Sequence, residues 1–429
     1  MKKLIVITYE IIIFPIFIVF VFVFSFYSRL KLYFVRKPRL VWGEAAIINN
    51  SYWSHAMNED GFFSETFTDG VSSKINDRSD YDRVIQEMYG PLPVQFKYWI
   101  AFLHSLLLYD IFFISFNGFF LGKTIYKSFE SQIFKLANKK VVVIPFGLDS
   151  YVYKNIRSVP LIHALQTSII GPQRQQLDIE KRVSYWIKNA DAVIPGMMSP
   201  DGFGRWDVIA PSSLCIPVDD WQSKKSFNDS NGKDKTICIA HSPNFRGFKG
   251  TEFICKAIEE LKSEGYKIDF ILIENVNNSV VREVLTTKAD ILIEQLIFTG
   301  HGISGVEGMA SGSCVISNFE DENYTLAFRR WSFLNECPIV SAAPETIKNV
   351  LKELIENPSL RFDLSKAGVE YAHKYHSYKA TAYLFNEVID YVLGKKDSLL
   401  NLYHPIDGDL DIDPKINHPL INNKIINNV

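Results

Sequence analysis

Cysteine is scarce in this sequence and follows no pattern. Five residues, Cys215, Cys238, Cys255, Cys314 and Cys337, are scattered through 429, with no C-x-x-C pair and no Cys/His ligand spacing. That argues against a zinc site and points to a reduced compartment. A charge excess of either sign is also lacking. Lys plus Arg number 46 against 48 Asp plus Glu, so no overall basic field marks nucleic acid as a partner. No repeat of fixed short period runs along the chain. The remaining composition is that of a globular protein, long enough for two domains that each bury a core.

Long apolar runs are confined to two places. Ile11 to Tyr27 is almost wholly apolar, preceded by Lys2 and Lys3 and followed by Arg29, Lys31, Arg36, Lys37 and Arg39. It can cross or enter a bilayer, and extension back to Leu4 past Glu10 supplies the ~20 residues of a straight span. The basic excess after it places the bulk of the protein in the cytoplasm, at the inner or cytoplasmic membrane. A cleaved signal peptide is the competing reading, but charged rather than small residues follow the run, which favours a retained membrane anchor over residues 1–38. The second run, Tyr98 to Leu121, contains His104, Asp110, Ser115 and Asn117, which are costly inside a span. It divides instead into a helix ending near Leu108, a strand Ile111 to Ile114 and a turn at Asn117-Gly118.

Elsewhere strands alternate with helices, the pattern of a parallel sheet covered on both faces. Residues 39–222 form a first Rossmann-like domain, with strands at Leu40 to Trp42 and Val141 to Pro145, a helix through Tyr52 to Met57, another at Asp178 to Asn189, and a strand Ala192 to Pro195. Asp201 to Asp207 is a shaped loop, and the polar stretch 223–235 is a linker. The second domain, 236–376, reads as strand Ile237 to Ala240, helix Thr251 to Ser263, strand Asp269 to Ile273, helix Ser279 to Thr287 and strand Ile291 to Glu294. Helices at Pro344 to Glu356 and Pro358 to Tyr371 follow. A last helix lies within 377–398, and 399–429 is a loose tail.

Two stretches of the second domain carry candidate chemistry. In Thr299 to Ser317, TGHGISGVEGMASGSCVIS, Gly300 and Gly302 precede a short helix whose first N–H groups, near Gly302, Ile303 and Ser304, suit an anion. Glu307 is the sole carboxylate there. Between the first strand and helix, His241 to Gly250 holds Asn244, Arg246, Lys249 and Gly250. Arg246 offers a planar donor fork and Lys249 a mobile point charge, a combination that suits a diphosphate, although cations on such loops are often merely solvated. In the first domain, Asp149 lies just past a strand's carboxyl end, where α/β ligands bind; capping the turn is an equal alternative.

HSPNFRGFKGTEF followed by TGHGISGVEGMASGSCVIS resembles the nucleotide-sugar-binding domain of GT-B glycosyltransferases, in particular glycosyltransferase family 4 and its relatives. Lys249 and Gly250 match the family's Lys-Gly pair. Arg246 stands closer to the lysine than the family's arginine, and Asn244 occupies the customary spacing. Of two glutamates eight positions apart, Glu307 matches the second, which in the family contacts the nucleotide ribose, and Thr299 takes the place of the first. The family's histidine in the turn after the strand at Val141 to Pro145 is missing; His163 and His301 are candidate substitutes, though lone histidines are more often structural. The resemblance implies an α/β GT-B fold, two Rossmann-like domains with a cleft between them, joined here to an N-terminal membrane-anchor helix. It implies a nucleotide-sugar donor on the second domain and a saccharide or lipid-linked saccharide acceptor on the first. It also implies retention of anomeric configuration, no metal and no permanently bound cofactor. In the combined reading Arg246, Lys249 and the helix N-terminus neutralise the leaving diphosphate, with Asp149 at the acceptor side. A non-catalytic nucleotide- or glycan-binding protein that kept the fold is the rival, and a GT-B epimerase or phosphorylase a second.

Overall fold

A computed structural model describes residues 2–32, 37–71, 76–195, 204–208, 213–222, 224, 226–319 and 337–402. Part of the expected loop at 201–207 and most of the expected tail lie outside them. The chain begins with helix α1 (Lys2–Leu32). The first domain then runs β1 (Leu40–Trp42), α2 (Ile48–Glu59), β2 (Ser64–Thr68), β3 (Arg83–Val84), α3 (Val94–Leu108), β4 (Ile111–Ile114), α4 (Glu130–Leu136), β5 (Lys140–Val143), α5 (Val159–Ser168), α6 (Ile170–Gln173), α7 (Gln176–Asn189) and β6 (Ala192–Val193). These strands form a parallel sheet in the order β3-β2-β1-β4-β5-β6. The run Tyr98 to Leu121 divides between α3 and β4 because Asp110 breaks it. Its carboxylate is buried against Arg39 at 3.0 Å and Lys139 at 3.2 Å, and the residues after it enter the sheet with all four side chains buried.

The second domain contains β7 (Ile237–His241), α8 (Arg246–Lys249), α9 (Thr251–Ser263), β8 (Ile268–Leu272), α10 (Asn278–Thr287), β9 (Ile291–Thr299), α11 (Ile303–Ala310), β10 (Cys314–Asn318), β11 (Val340–Ser341), α12 (Ile347–Glu356), α13 (Pro358–His376) and α14 (Tyr378–Val392). Its parallel sheet has the order β11-β10-β9-β7-β8. The apolar stripe of α9, with Ile254, Ala257, Ile258 and Leu261 buried, packs with α12 on this sheet. In this domain β9 and α13 run well past their expected ends. β9 continues to Thr299 by way of register shifts against β10 at Ser317 and Asn318, an irregularity no alternation of residue types signals. α13 continues to His376 because Tyr375 and His376 are buried in its last turn.

In each sheet the strand order reverses once, between β1 and β4 in the first and between β7 and β9 in the second. Ligands of open α/β sheets bind at such switch points, outside the carboxyl ends of the strands. One apolar cluster crosses from domain to domain. It joins Trp42, Trp53 and Phe113 of the first to Leu285 and Val306 of the second, with Phe385 of α14 wedged among the aromatic rings. Phe385 lies 4.8 Å from Trp42 and 5.4 Å from Phe113, both edge-on.

Candidate active site in the interdomain cleft

Between the two carboxyl edges lies a cavity of about 830 Å³. Its walls come from both domains: Tyr52, His55 and Asp80 on one side, Lys249, Arg282, Glu294 and Glu307 on the other. Residues at the N-termini of three helices reach it, Ile48 of α2, Asn278 of α10 and Ile303 of α11. Each such end carries partial positive charge from its unpaired N–H groups. These ends favour negative charge locally, while five carboxylates of the lining, Asp77, Asp80, Asp220, Glu294 and Glu307, stand against the two cations Lys249 and Arg282 and can accept hydrogen bonds from hydroxyls.

Gly300, at a φ of +96°, turns the chain out of β9, a conformation costly for a residue with a side chain. The N–H of Gly302 then donates to Glu294 Oε1 at 2.7 Å, and the hydroxyl of Ser304 donates to the same oxygen at 3.0 Å. Lys249 Nζ stands 3.6 Å from that oxygen and donates to Gln295 Oε1 at 2.7 Å. Burial lowers the Lys249 ammonium, and the charge of Glu294 works against that shift. A Cβ on Gly305 would fall 2.4 Å from Glu294 Oε2, so the missing side chain makes room for the carboxylate. The anion position at the start of α11 is thus already filled by a side chain of the same domain.

Glu307 lies one helical turn further along α11. Asn278 Nδ2 donates to its Oε1 at 3.3 Å. Burial pushes its carboxyl up to about 7, with the Asn278 bond and the Arg282 charge opposing. Arg282 reaches the cavity from α10, its guanidinium 5.0 Å from the Trp221 ring centroid and 3.7 Å from Asp220. Below the cavity floor, His241 is held between the Ile293 carbonyl at 2.7 Å and the Thr251 hydroxyl at 2.9 Å. Burial takes it down to about 4.

Of the residues singled out in the sequence, Asn244, Lys249, Gly302, Ile303, Ser304 and Glu307 line this cavity. Three others stand elsewhere. Arg246 is exposed and forms ion pairs with Glu274 and Glu252, each at 2.8 Å. Gly250, at a φ of +75°, is the left-handed joint between α8 and α9, with Leu296 packed behind it. Asp149 is buried beneath the first domain's edge, where it accepts from the backbone N–H groups of Phe116, Phe146 and Gly147 at 2.9, 3.0 and 3.0 Å. Burial raises its carboxyl to about 6. The two histidines weighed as substitutes are also outside the cavity lining: His163 is exposed on α5, and His301 is buried beside His376 with ring centroids 5.5 Å apart.

Sequence reasoning missed Glu294, Asn278, Arg282, His55 and Asp80. For Glu294 a signal existed, since a carboxylate at the carboxyl end of an apolar strand sits at the ligand edge of a parallel sheet. The others sit on helices or a short turn whose orientation depends on packing, and local pattern carries no mark of them.

No established family model and no curated protein matches the chain. In shape it is similar to Anabaena Alr3699/HepE, solved in complex with UDP-glucose, at a TM-score of 0.51 and 10% sequence identity over 84% of this chain and 100% of that one. The same protein in complex with UDP gives 0.50 and 10% over 82% and 100%. A UDP-N-acetylglucosamine 2-epimerase structure scores lower, 0.45 at 12% identity over 85% and 98%. The strand orders, the facing carboxyl edges and this likeness in shape agree: the chain has a GT-B-like fold, two parallel-sheet Rossmann-like domains facing one another across a cleft.

Proposed function

We propose that this protein is a glycosyltransferase that moves a sugar from a nucleotide-sugar donor to a saccharide or lipid-linked saccharide acceptor, with its apolar N-terminal helix holding it at a membrane. The observation that carries this reading is the interdomain cavity, where Lys249, Arg282 and the α11 N-terminus face Glu307. A nucleoside diphosphate needs both kinds of group, cations for the phosphates and a carboxylate for the ribose hydroxyls. UDP is the first nucleotide to test, because Alr3699/HepE was solved with UDP and with UDP-glucose.

In this reading the bond from the anomeric carbon to the phosphate oxygen breaks, and the nucleoside diphosphate leaves with the electron pair. The acceptor hydroxyl oxygen bonds to the anomeric carbon on the same face and passes its proton to the departing phosphate oxygen. Lys249 and Arg282 stabilise the charge that develops on the leaving group, which is where preorganised donors lower a barrier most, and the first turn of α11 joins them once the diphosphate displaces Glu294 from it. Glu307 holds the ribose, and His55 and Asp80 stand on the first-domain wall where the acceptor would enter. Retention, independence from metal, and a place in capsule or cell-envelope polysaccharide synthesis follow from the family resemblance.

One observation favours the rival, a binding protein without turnover: Glu294 already occupies the anion position at α11. The test is release of UDP from UDP-sugars with and without saccharide or lipid-linked acceptors. Acceptor-dependent release is expected. Binding of UDP, seen as a thermal shift, without any release would favour the rival. If neither Glu307→Ala nor Lys249→Ala reduces the UDP shift, the nucleotide site is elsewhere.

A further inference from the structure

The membrane part of that reading leaves open how α1 meets the bilayer. Its apolar stretch, Glu10–Leu30, has 21 residues and a mean hydropathy of 2.6, about 30 Å of helix and so enough to span a hydrocarbon core. Yet α1 is not a free stalk. Glu10, Phe17, Val21, Ser25 and Ser28 are buried along one side, and that side lies on the first domain. The Phe14 ring stacks on Tyr126 with centroids 4.1 Å apart, and Phe17 packs on Trp99 at 4.6 Å. At the far end Arg29 donates to the Leu136 carbonyl. Phe17 and Val21 belong to the same core cluster as Phe102, Phe112 and Phe134. The contact thus extends from Glu10 to Arg29, nearly the whole apolar length.

The opposite side of α1 is apolar and uncovered. Ile12, Ile16, Val19, Val23, Phe26 and Leu30, spaced by alternating fours and threes, are 48–68% exposed. On the first domain Ile100, Ile125 and Phe129 are exposed apolar residues as well. A helix that crosses a bilayer must be surrounded by lipid or by other spans through the full thickness. Here one flank is occupied along its length by a domain that carries solvent-exposed charges close by, such as the Lys127–Asp178 pair. Immersing that domain would strip those charges of water at prohibitive cost.

We infer that α1 does not cross the membrane: it is a fixed part of the first domain and lies in the plane of one leaflet, with the Ile12-to-Leu30 face sunk among the acyl chains. The occupant of this face is a phospholipid bilayer. In sequence Lys2 and Lys3 precede the apolar stretch and Arg29 and Lys31 close it, positive charges of the kind that anionic headgroups attract. The acceptor-binding domain is thereby held flat against the leaflet instead of swinging on a tether.

The test uses the full chain bound to vesicles containing anionic lipid, with spin labels at Ile12→Cys, Val19→Cys or Phe26→Cys, all on the exposed face, and with UDP binding as the check on folding. The expected result is one shallow depth for all three labels, about 5–10 Å below the headgroups. Lys3→Cys should also react with an impermeant maleimide from the same side as Glu259→Cys in the second domain. A depth profile that is shallow, deep, then shallow, with Lys3→Cys protected on the side where Glu259→Cys reacts, would overturn the inference and leave membrane attachment standing. Failure to float with vesicles, with the labels either in water or covered in a dimer, would overturn both.

Discussion

Glu294 and Glu307 share one cavity but meet opposite surroundings. Glu294 receives an N–H and a hydroxyl and faces an ammonium, whereas Glu307 receives one amide and is otherwise desolvated. In the proposed reading a diphosphate docks at the start of α11, where the Glu294 carboxylate already accepts from Gly302 and Ser304 and would oppose it. Glu294→Gln keeps an acceptor for Gly302 and Ser304 and should tighten UDP binding about 3–10-fold, close to 1 kcal/mol. Titration calorimetry measures this, and an unchanged affinity would mean that the diphosphate sits elsewhere. The two arginines separate as sharply. Arg246 is bound to two carboxylates at the surface, where water screens such pairs, so Arg246→Ala should leave UDP affinity within about twofold. Arg282→Ala should weaken it at least tenfold, and the reverse ranking would return the phosphate role to Arg246. The sequence marked Lys249 and Glu307 because each sits in a glycine-containing turn-helix unit. Arg282 was illegible, since a helical arginine facing a cleft and one facing solvent have the same neighbours in sequence.

At the scale of elements, α11 and α14 do different work. α11 is short and brings backbone donors and Glu307 to the cavity, and its approach to β9 is close because Gly308 has no Cβ to meet Leu292. α14 ties the domains together. It follows the second domain in sequence but packs on α2 of the first, through Phe385 and through Asn386, whose amide donates to Asp60 at 2.8 Å. Phe385→Ala would open a void among Trp42, Trp53 and Phe113 and should cost about 3–5 kcal/mol. Urea unfolding followed by tryptophan fluorescence reads this out, and a loss below about 1 kcal/mol would mean the aromatic cluster closes without it. Helices α9 and α10 were legible almost to the residue, because each carries one clean apolar stripe. The extension of β9 was not, because irregular pairing with β10 produced it.

For the whole molecule, buried ionisable groups set an optimum of pH. Burial raises Glu307 to about 7, Glu130 to about 8 and Asp149 to about 6. Each binds its proton more tightly folded than unfolded, so its stabilising contribution is complete below its unfolded value and is lost as pH rises through the folded one. His241 at about 4 and His376 at about 3 are depressed by burial. Their contribution is complete above the unfolded value of about 6.5 and is lost as pH falls toward the folded ones. Above pH 6.5 the histidines add nothing further while Glu307 and Glu130 still lose ground. Tm should therefore fall from pH 6.5 to 8, and Glu307→Gln should make the fall shallower. A Tm that stays flat or rises across this interval would show that these carboxyls are ionised in the folded protein.

The sequence by itself determined the alternation of strands and helices, the division into two α/β domains and the apolar character of the first helix, because these depend on local periodicity and on the cost of burying charge. Only the tertiary structure decided which side chains share the cavity. It brought His55 and Asp80 across from the first domain and left Arg246 and Asp149 out. It also placed Glu294 at the anion position of α11, and it laid α1 along the domain. Each of these outcomes depends on contacts between residues far apart in the chain, and the energies that fix such contacts leave no periodic trace in the order of amino acids.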